Sequence, residues 1–222
     1  MKHAESELIE IKNSISEMWK LVINQFIKSK QALLTNNHDL ARVVISTEKR
    51  VNAFELKIDR DCENYIALYA PVAVDLRLVL SLLKINKTLE RIGDFAAGIS
   101  RYVLIFEENE RHLELLKTMQ IDAMMSYVEV MLEKSLESIT NENTTLAGFV
   151  FSTDNKVDTL YRGAMQEIAK FVKANIDDVQ FALYLVIILR KIERSGDHCN
   201  NIMEEIVFYI DAKVLKHQKQ KK

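Results

Sequence analysis

Proline occurs once, glycine five times and cysteine twice in this 222-residue chain, and each shortage removes a class of protein. Without Pro and Gly as punctuation, the frequent sharp turns of a sandwich or barrel are out of reach, which argues for long helices. Cys62 and Cys199 are far apart and form no Cys-x-x-Cys pattern. They read as reduced thiols, not a disulfide framework or a zinc knuckle. The longest apolar run, Phe181 to Leu189, falls well short of the ~20 residues that span a bilayer. The N-terminus is amphipathic and charged, so no signal peptide is expected, and the reading is a soluble, cytoplasmic protein. A net charge of −2, with both signs interspersed, leaves no nucleic-acid-binding face. The exception is the C-terminal cluster Lys213, Lys216, Lys219, Lys221 and Lys222 around His217, read as a solvated, flexible basic tail over residues 216–222.

What the chain does have is apolar residues at helical spacing. Ile11, Ile15, Met18, Trp19, Val22, Phe26 and Ile27 form one stripe in a first helix from about Glu5 to Leu34. Asn37 begins a second helix that reaches about Tyr69. Pro71 is placed in the first turn of a third, continuing to about Phe106, with Asp75 favouring its dipole. After a polar break at residues 107–110, a fourth helix is expected over about Arg111 to Ile139 and a fifth over Thr145 to Lys173. A sixth, capped from Asn175-Ile176-Asp177-Asp178, reaches about Lys213. The fold class is therefore all-α, with six long helices and no competing strand pattern.

Two blocks 103 residues apart say nearly the same thing: Leu89-Glu90-Arg91-Ile92-Gly93-Asp94 and Ile192-Glu193-Arg194-Ser195-Gly196-Asp197. At the same offset Asp75 matches Asp178 and Leu80 matches Leu183. This internal duplication predicts two tandem, pseudo-symmetric three-helix bundles, residues 1–107 and 108–215. One extended bundle with a shared core is the alternative.

In each block a Glu and an Asp at i, i+4 continue an apolar stripe, such as Val79, Leu83 and Asn86 ahead of Glu90. A carboxylate turned toward a core needs a compensating partner or takes up a proton. The second helix of each half adds oxygens: Glu48, Asn52, Glu55 and Asp59 in the first, Asp154 and Asp158 in the second. If helices two and three of each half are antiparallel neighbours, Glu48, Asn52, Glu90 and Asp94 converge at one site. Asp154, Asp158, Glu193 and Asp197 then converge at the other. Oxygen-only donors suit hard or borderline cations such as iron, manganese, magnesium or calcium, and carboxylate bridging allows more than one ion. Gly93 and Gly196 each cost about 1 kcal/mol in a helix interior, which suggests a close neighbour at the backbone. The plain alternative is a solvated acidic face with surface ion pairs such as Glu90–Arg91. His198 reads as a half-exposed helix residue that could orient Asp197; Trp19, Met18 and Phe26 read as core, and Cys199 as a buried thiol.

No Glu-x-x-His pair, glycine-rich phosphate loop or nucleophile elbow occurs. No catalytic residues are assigned. A carboxylate-bridged phosphohydrolase and a metal-free helical scaffold remain as competing readings.

Pro71-Val72-Ala73-Val74-Asp75-Leu76-Arg77, the two Glu-Arg-x-Gly-Asp blocks and Val157-Asp158-Thr159-Leu160-Tyr161 together resemble the PhoU family of accessory regulators of bacterial phosphate uptake. The resemblance runs nearly the whole length. It implies paired three-helix bundles carrying multinuclear metal clusters, with iron first and zinc, manganese or magnesium as alternatives. The family's acidic motifs fall on Glu48 to Asn52, Glu90 to Asp94, Asp154 to Asp158 and Glu193 to Asp197. It also implies a cytoplasmic negative regulator that contacts the ATPase subunit of the phosphate ABC transporter and the sensor histidine kinase of the phosphate response. Such a protein is a homodimer and meets the membrane only through its partners. Glu48 stands where aspartate is common in the family, Asn52 removes a charge, and Ser195 replaces an aliphatic residue.

Overall fold

The computed structural model describes residues 2–107 and 109–215; the basic tail read over residues 216–222 lies outside them. Among the described residues the chain is helical without strands. The helices are α1 (Lys2–Thr35), α2 (His38–Tyr69), α3 (Ala73–Val103), α4 (Glu110–Thr118), α5 (Ile121–Thr140), α6 (Ala147–Ala174) and α7 (Val179–Asp211), with a 3₁₀ turn at Ile176–Asp178 before the last.

The expected fourth helix is two. As one continuous helix it would carry Leu115, Leu116 and Met119 on a different face from Ile121, Met124, Met125 and Val128, because residues 119 and 121 stand about 200° apart. Both groups are buried. Gln120 reconciles them by stepping into the left-handed region at φ 55°, which ends α4 and restarts the helix in a new phase. Other starts shift for similarly local reasons. Ala70 adopts φ 43° and Ala73 φ 49°, so Pro71 lies just ahead of α3 instead of inside its first turn. Asp178 does not cap α7 with its side chain; that carboxylate turns to His112 and Arg111 on α4. Asn37 caps α2 as expected, accepting a hydrogen bond from the Leu40 amide at 2.9 Å.

Packing groups the helices. α1, α2 and α3 each pack on the other two, as do α5, α6 and α7, while α4 lies across α5 and α6. The two triplets meet along α3 and α7, whose contact is as extensive as that between α2 and α3, and again between α1 and α5. The buried apolar residues form one continuous cluster through both triplets. Along the seam, Arg77 donates to the Tyr209 carbonyl at one end and Phe106 meets Phe181 at the other, so α3 and α7 are antiparallel. Near the middle Phe95 stacks on His198, its own counterpart one repeat later, at 5.6 Å between centroids. His198 is thus 8 % exposed instead of half-exposed.

Trp19 ties α1 to α5: it is fully buried, and its indole N–H donates to the Leu132 carbonyl at 3.1 Å. Trp19→Ala is expected to destabilise the fold by about 3–5 kcal/mol, read as a lower urea midpoint by far-UV circular dichroism.

Candidate metal centre

The two sequence blocks sit on the faces of α3 and α7 turned toward α2 and α6. In the first half, the Asn86 amide donates to Asp59 at 2.8 Å and to the Glu55 carbonyl at 2.9 Å, which sets α3 against α2. That register brings Glu48, Glu55, Glu90 and Asp94 along one groove. Lys87 reaches Glu55 at 2.7 Å and Glu90 at 3.4 Å, and Arg101 pairs with Glu48. Glu55 and Glu90 are each only 14 % exposed at the side chain. Burial, then Asp94, raises Glu90 above the usual carboxylate range; burial, then Glu48, does the same to Asp94. Asn52, one turn on from Glu48 in α2, is exposed.

The second half repeats the arrangement with α6 and α7. The Asn200 amide donates to Asp154 at 2.5 Å, and Arg190 reaches Glu193 at 3.3 Å. Asp154 is pushed to about 7, by burial first and then by Asp158 and Asp197. Glu193 is raised by burial and Asp197, and Asp197, although exposed at the rim, by its partial burial and Asp158. The sequence-predicted set therefore comes together as Asp154, Asp158, Glu193 and Asp197 in one half and as Glu48, Glu90 and Asp94 in the other. Glu55 and Asn200 belong beside them. Both were legible as members of the same helical stripes, but without a packing register nothing ranked them above their neighbours.

The close backbone approach expected at the glycines is present. A Cβ on Gly196 would fall 2.7 Å from Asp154 Oδ1, and one on Gly93 would fall 3.1 Å from Gln25 Oε1. His198 cannot orient Asp197, since neither ring nitrogen has a hydrogen-bond partner and burial beside Arg91 and Arg194 presses it down to about 4. Cys199 is fully buried and its thiol is raised well above its ordinary value, which removes it as a nucleophile.

The fit to a cation rests on donor chemistry and on unfinished hydrogen bonding. Glu193 Oε2 and Asn200 Oδ1 are buried with no partner, beside Asp154, which already takes the Asn200 amide. Such oxygens want a donor or a positive charge. Among the described residues, no group of three or more His, Cys, Asp or Glu side chains is already gathered to hold a metal ion.

An all-helical bundle with an acid-lined helix pair in each half is the class that fold and site define. A family model, "PhoU domain", matches twice, over residues 15–103 and 121–206. The chain belongs to the PhoU family. It is 34 % identical over 213 residues to the phosphate-specific transport system accessory protein PhoU homolog of Aquifex aeolicus, covering 96 % of this chain and 95 % of that one. With PhoU of Escherichia coli the identity is 31 % over 212 residues, covering 96 % and 87 %. The crystal structure of PhoU from Pseudomonas aeruginosa superimposes with a TM-score of 0.88 at 28 % identity, over 94 % of this chain and 99 % of that one. The phosphate transport system regulatory protein PhoU from Streptococcus pneumoniae gives 0.83 at 25 %, over 96 % and 99 %.

Two outcomes follow from the geometry. Gly163, in α6, has open space where a Cβ would stand, so Gly163→Ala is expected to stabilise by about 0.4–1 kcal/mol. Gly196→Ala drives into Asp154 and is expected to destabilise; chemical denaturation of the two variants should shift in opposite directions. The pH dependence has a definite sign. An unfolded aspartate ionises near 4, while folded Asp154 holds its proton to about 7. Metal-free protein therefore loses stability as pH rises between those values. Urea midpoints after chelator treatment should fall from about pH 5 to about pH 7.5, and Asp154→Asn should flatten that slope.

Proposed function

We propose that this chain is a cytoplasmic, metal-binding accessory regulator that damps phosphate uptake and the phosphate-starvation response. Its relatives support the first half of that reading, being named accessory proteins of the phosphate-specific transport system. The observation that carries the metal is the second acid pair of helices, where Asp154 is pushed to about 7 and Glu193 keeps a buried oxygen without a partner. Asp154, Asp158, Glu193 and Asp197 would hold ions in the second half, and Glu48, Asn52, Glu90 and Asp94 in the first. Iron comes first, with zinc, manganese or magnesium as alternatives, in clusters of more than one ion. A bound cation would supply charge neutralisation and a cross-link between helices.

The residues of the chain do the rest. Gly93 and Gly196 admit the neighbouring side chains, and Asn86 and Asn200 fix the register of each helix pair. In this reading the triplets correspond to two tandem three-helix repeats, residues 1–107 and 108–215. The protein works as a non-catalytic adaptor and homodimer toward the ATPase subunit of the phosphate ABC transporter and the sensor histidine kinase. No helix among the described residues is long and apolar enough to cross a membrane, which suits attachment through partners.

Elemental analysis of the purified protein tests the metal. The wild type should carry it, and Glu193→Ala with Asp197→Ala should lose the second half's share while helicity by circular dichroism is kept. A metal-free wild type that holds its fold in chelator would defeat the reading. Co-purification with the transporter ATPase, lost in the same variant, would connect the site to regulation.

A further inference from the structure

The two acid clusters are alike in carboxylates and unlike in what neutralises them. In the first, Arg101 pairs with Glu48, and Lys87 bridges Glu55 and Glu90. A third cation arrives from the other half of the molecule. Lys191, on α7, lies across α3 where Gly98 leaves room; a Cβ there would fall 2.8 Å from Nζ and 2.9 Å from Cε. Its ammonium acts on Asp94, and Asp94 acts back on it. In the second cluster Arg190 on Glu193 is the one contact ion pair to any of the four acids among the described residues. One repeat after Arg101 the chain has Glu204, and one repeat before Lys191 it has Thr88. At the matching positions of the repeat the chain therefore carries an acid and a neutral residue.

We propose that Arg101 and Lys191 are resident counter-ions of the first acid cluster, which compete with metal there and make the second cluster load first. This rests on the metal reading above and adds an order of filling that the repeat alone would not give, since a perfect duplication would load both halves alike. A guanidinium and an ammonium already inside Coulomb range must be displaced or repelled before a divalent cation enters. At the second cluster Arg190 and Arg194 act on Glu193 and Asp197, against Lys87, Arg101 and Lys191 on Glu90 and Asp94 at the first.

The test is titration of chelator-stripped, full-length protein with Mn²⁺, followed by isothermal calorimetry. Wild type should show a tight and a weak class of sites. Asp154→Asn with Asp197→Asn should abolish the tight class and leave the weak one, whereas Glu48→Gln with Asp94→Asn should do the reverse. Arg101→Met should strengthen the weak class by about tenfold, the scale of one close charge pair, with Lys191→Met as an independent second variant and circular dichroism confirming the fold of each. Equal affinity in both halves, or no tightening in either cation variant, would overturn the ordering while leaving the metal reading intact. No Mn²⁺ binding in any variant would remove both.

Discussion

Half-buried carboxylates held close to one another on packed helices are the constraint around which the structure is arranged. Folding removes water from Glu90, Asp94, Asp154 and Glu193 and places each within reach of another acid, and both effects raise the cost of keeping them charged. The chain answers that cost in three ways. It supplies a cation, as with Lys87 and Arg101; it supplies an amide, as with Asn200 at Asp154; or the acid stays protonated further up the pH scale. None of these would be needed if the acids lined an outer helix face, and none is favoured by stability alone.

The seam between α3 and α7 explains how the two clusters come to be neighbours in one molecule. Each of these helices uses one face for its acid cluster and another for the opposite helix. Ala96, Ala97, Gly98 and Ser100 are fully buried on α3, and their small size lets α7 approach. Phe95 and His198 occupy equivalent places in the repeat and meet each other, with Lys191 and Arg194 above the Phe95 ring. His198 survives there as a neutral ring between cations and an aromatic face, which is why it belongs to the seam and not to the acid site one residue away.

Much of this was legible in the sequence because helical periodicity is a local property. The anticipated ligand positions fall on α2, α3, α6 and α7, and the i, i+4 spacing that joins Glu90 to Asp94 and Glu193 to Asp197 survives any packing. Asn52 shares the stripe of Glu48 and is exposed. What was not legible depended on three dimensions. The break at Gln120 required knowing that Met119 and Ile121 would both be buried, and the role of Lys191 required knowing that α7 crosses α3 at Gly98. The burial of His198 likewise follows from α3, not from its own helix.

The departure from symmetry is therefore more informative than the symmetry. Duplication supplies two acid pairs in register, and drift since then has put Arg101 against Glu48 in one half and Glu204 at the matching place in the other. A cation that reaches the first cluster from α7 also makes that cluster depend on the seam. Moving α7 away from α3 would withdraw Lys191 from Asp94, and the reverse motion would return it. The charge balance of one half is thus set partly by the position of the other, through a side chain whose path glycine keeps open. In the second cluster the cations that act on Glu193 and Asp197, Arg190 and Arg194, belong to α7 itself. The two halves, built from one pattern, answer to different conditions.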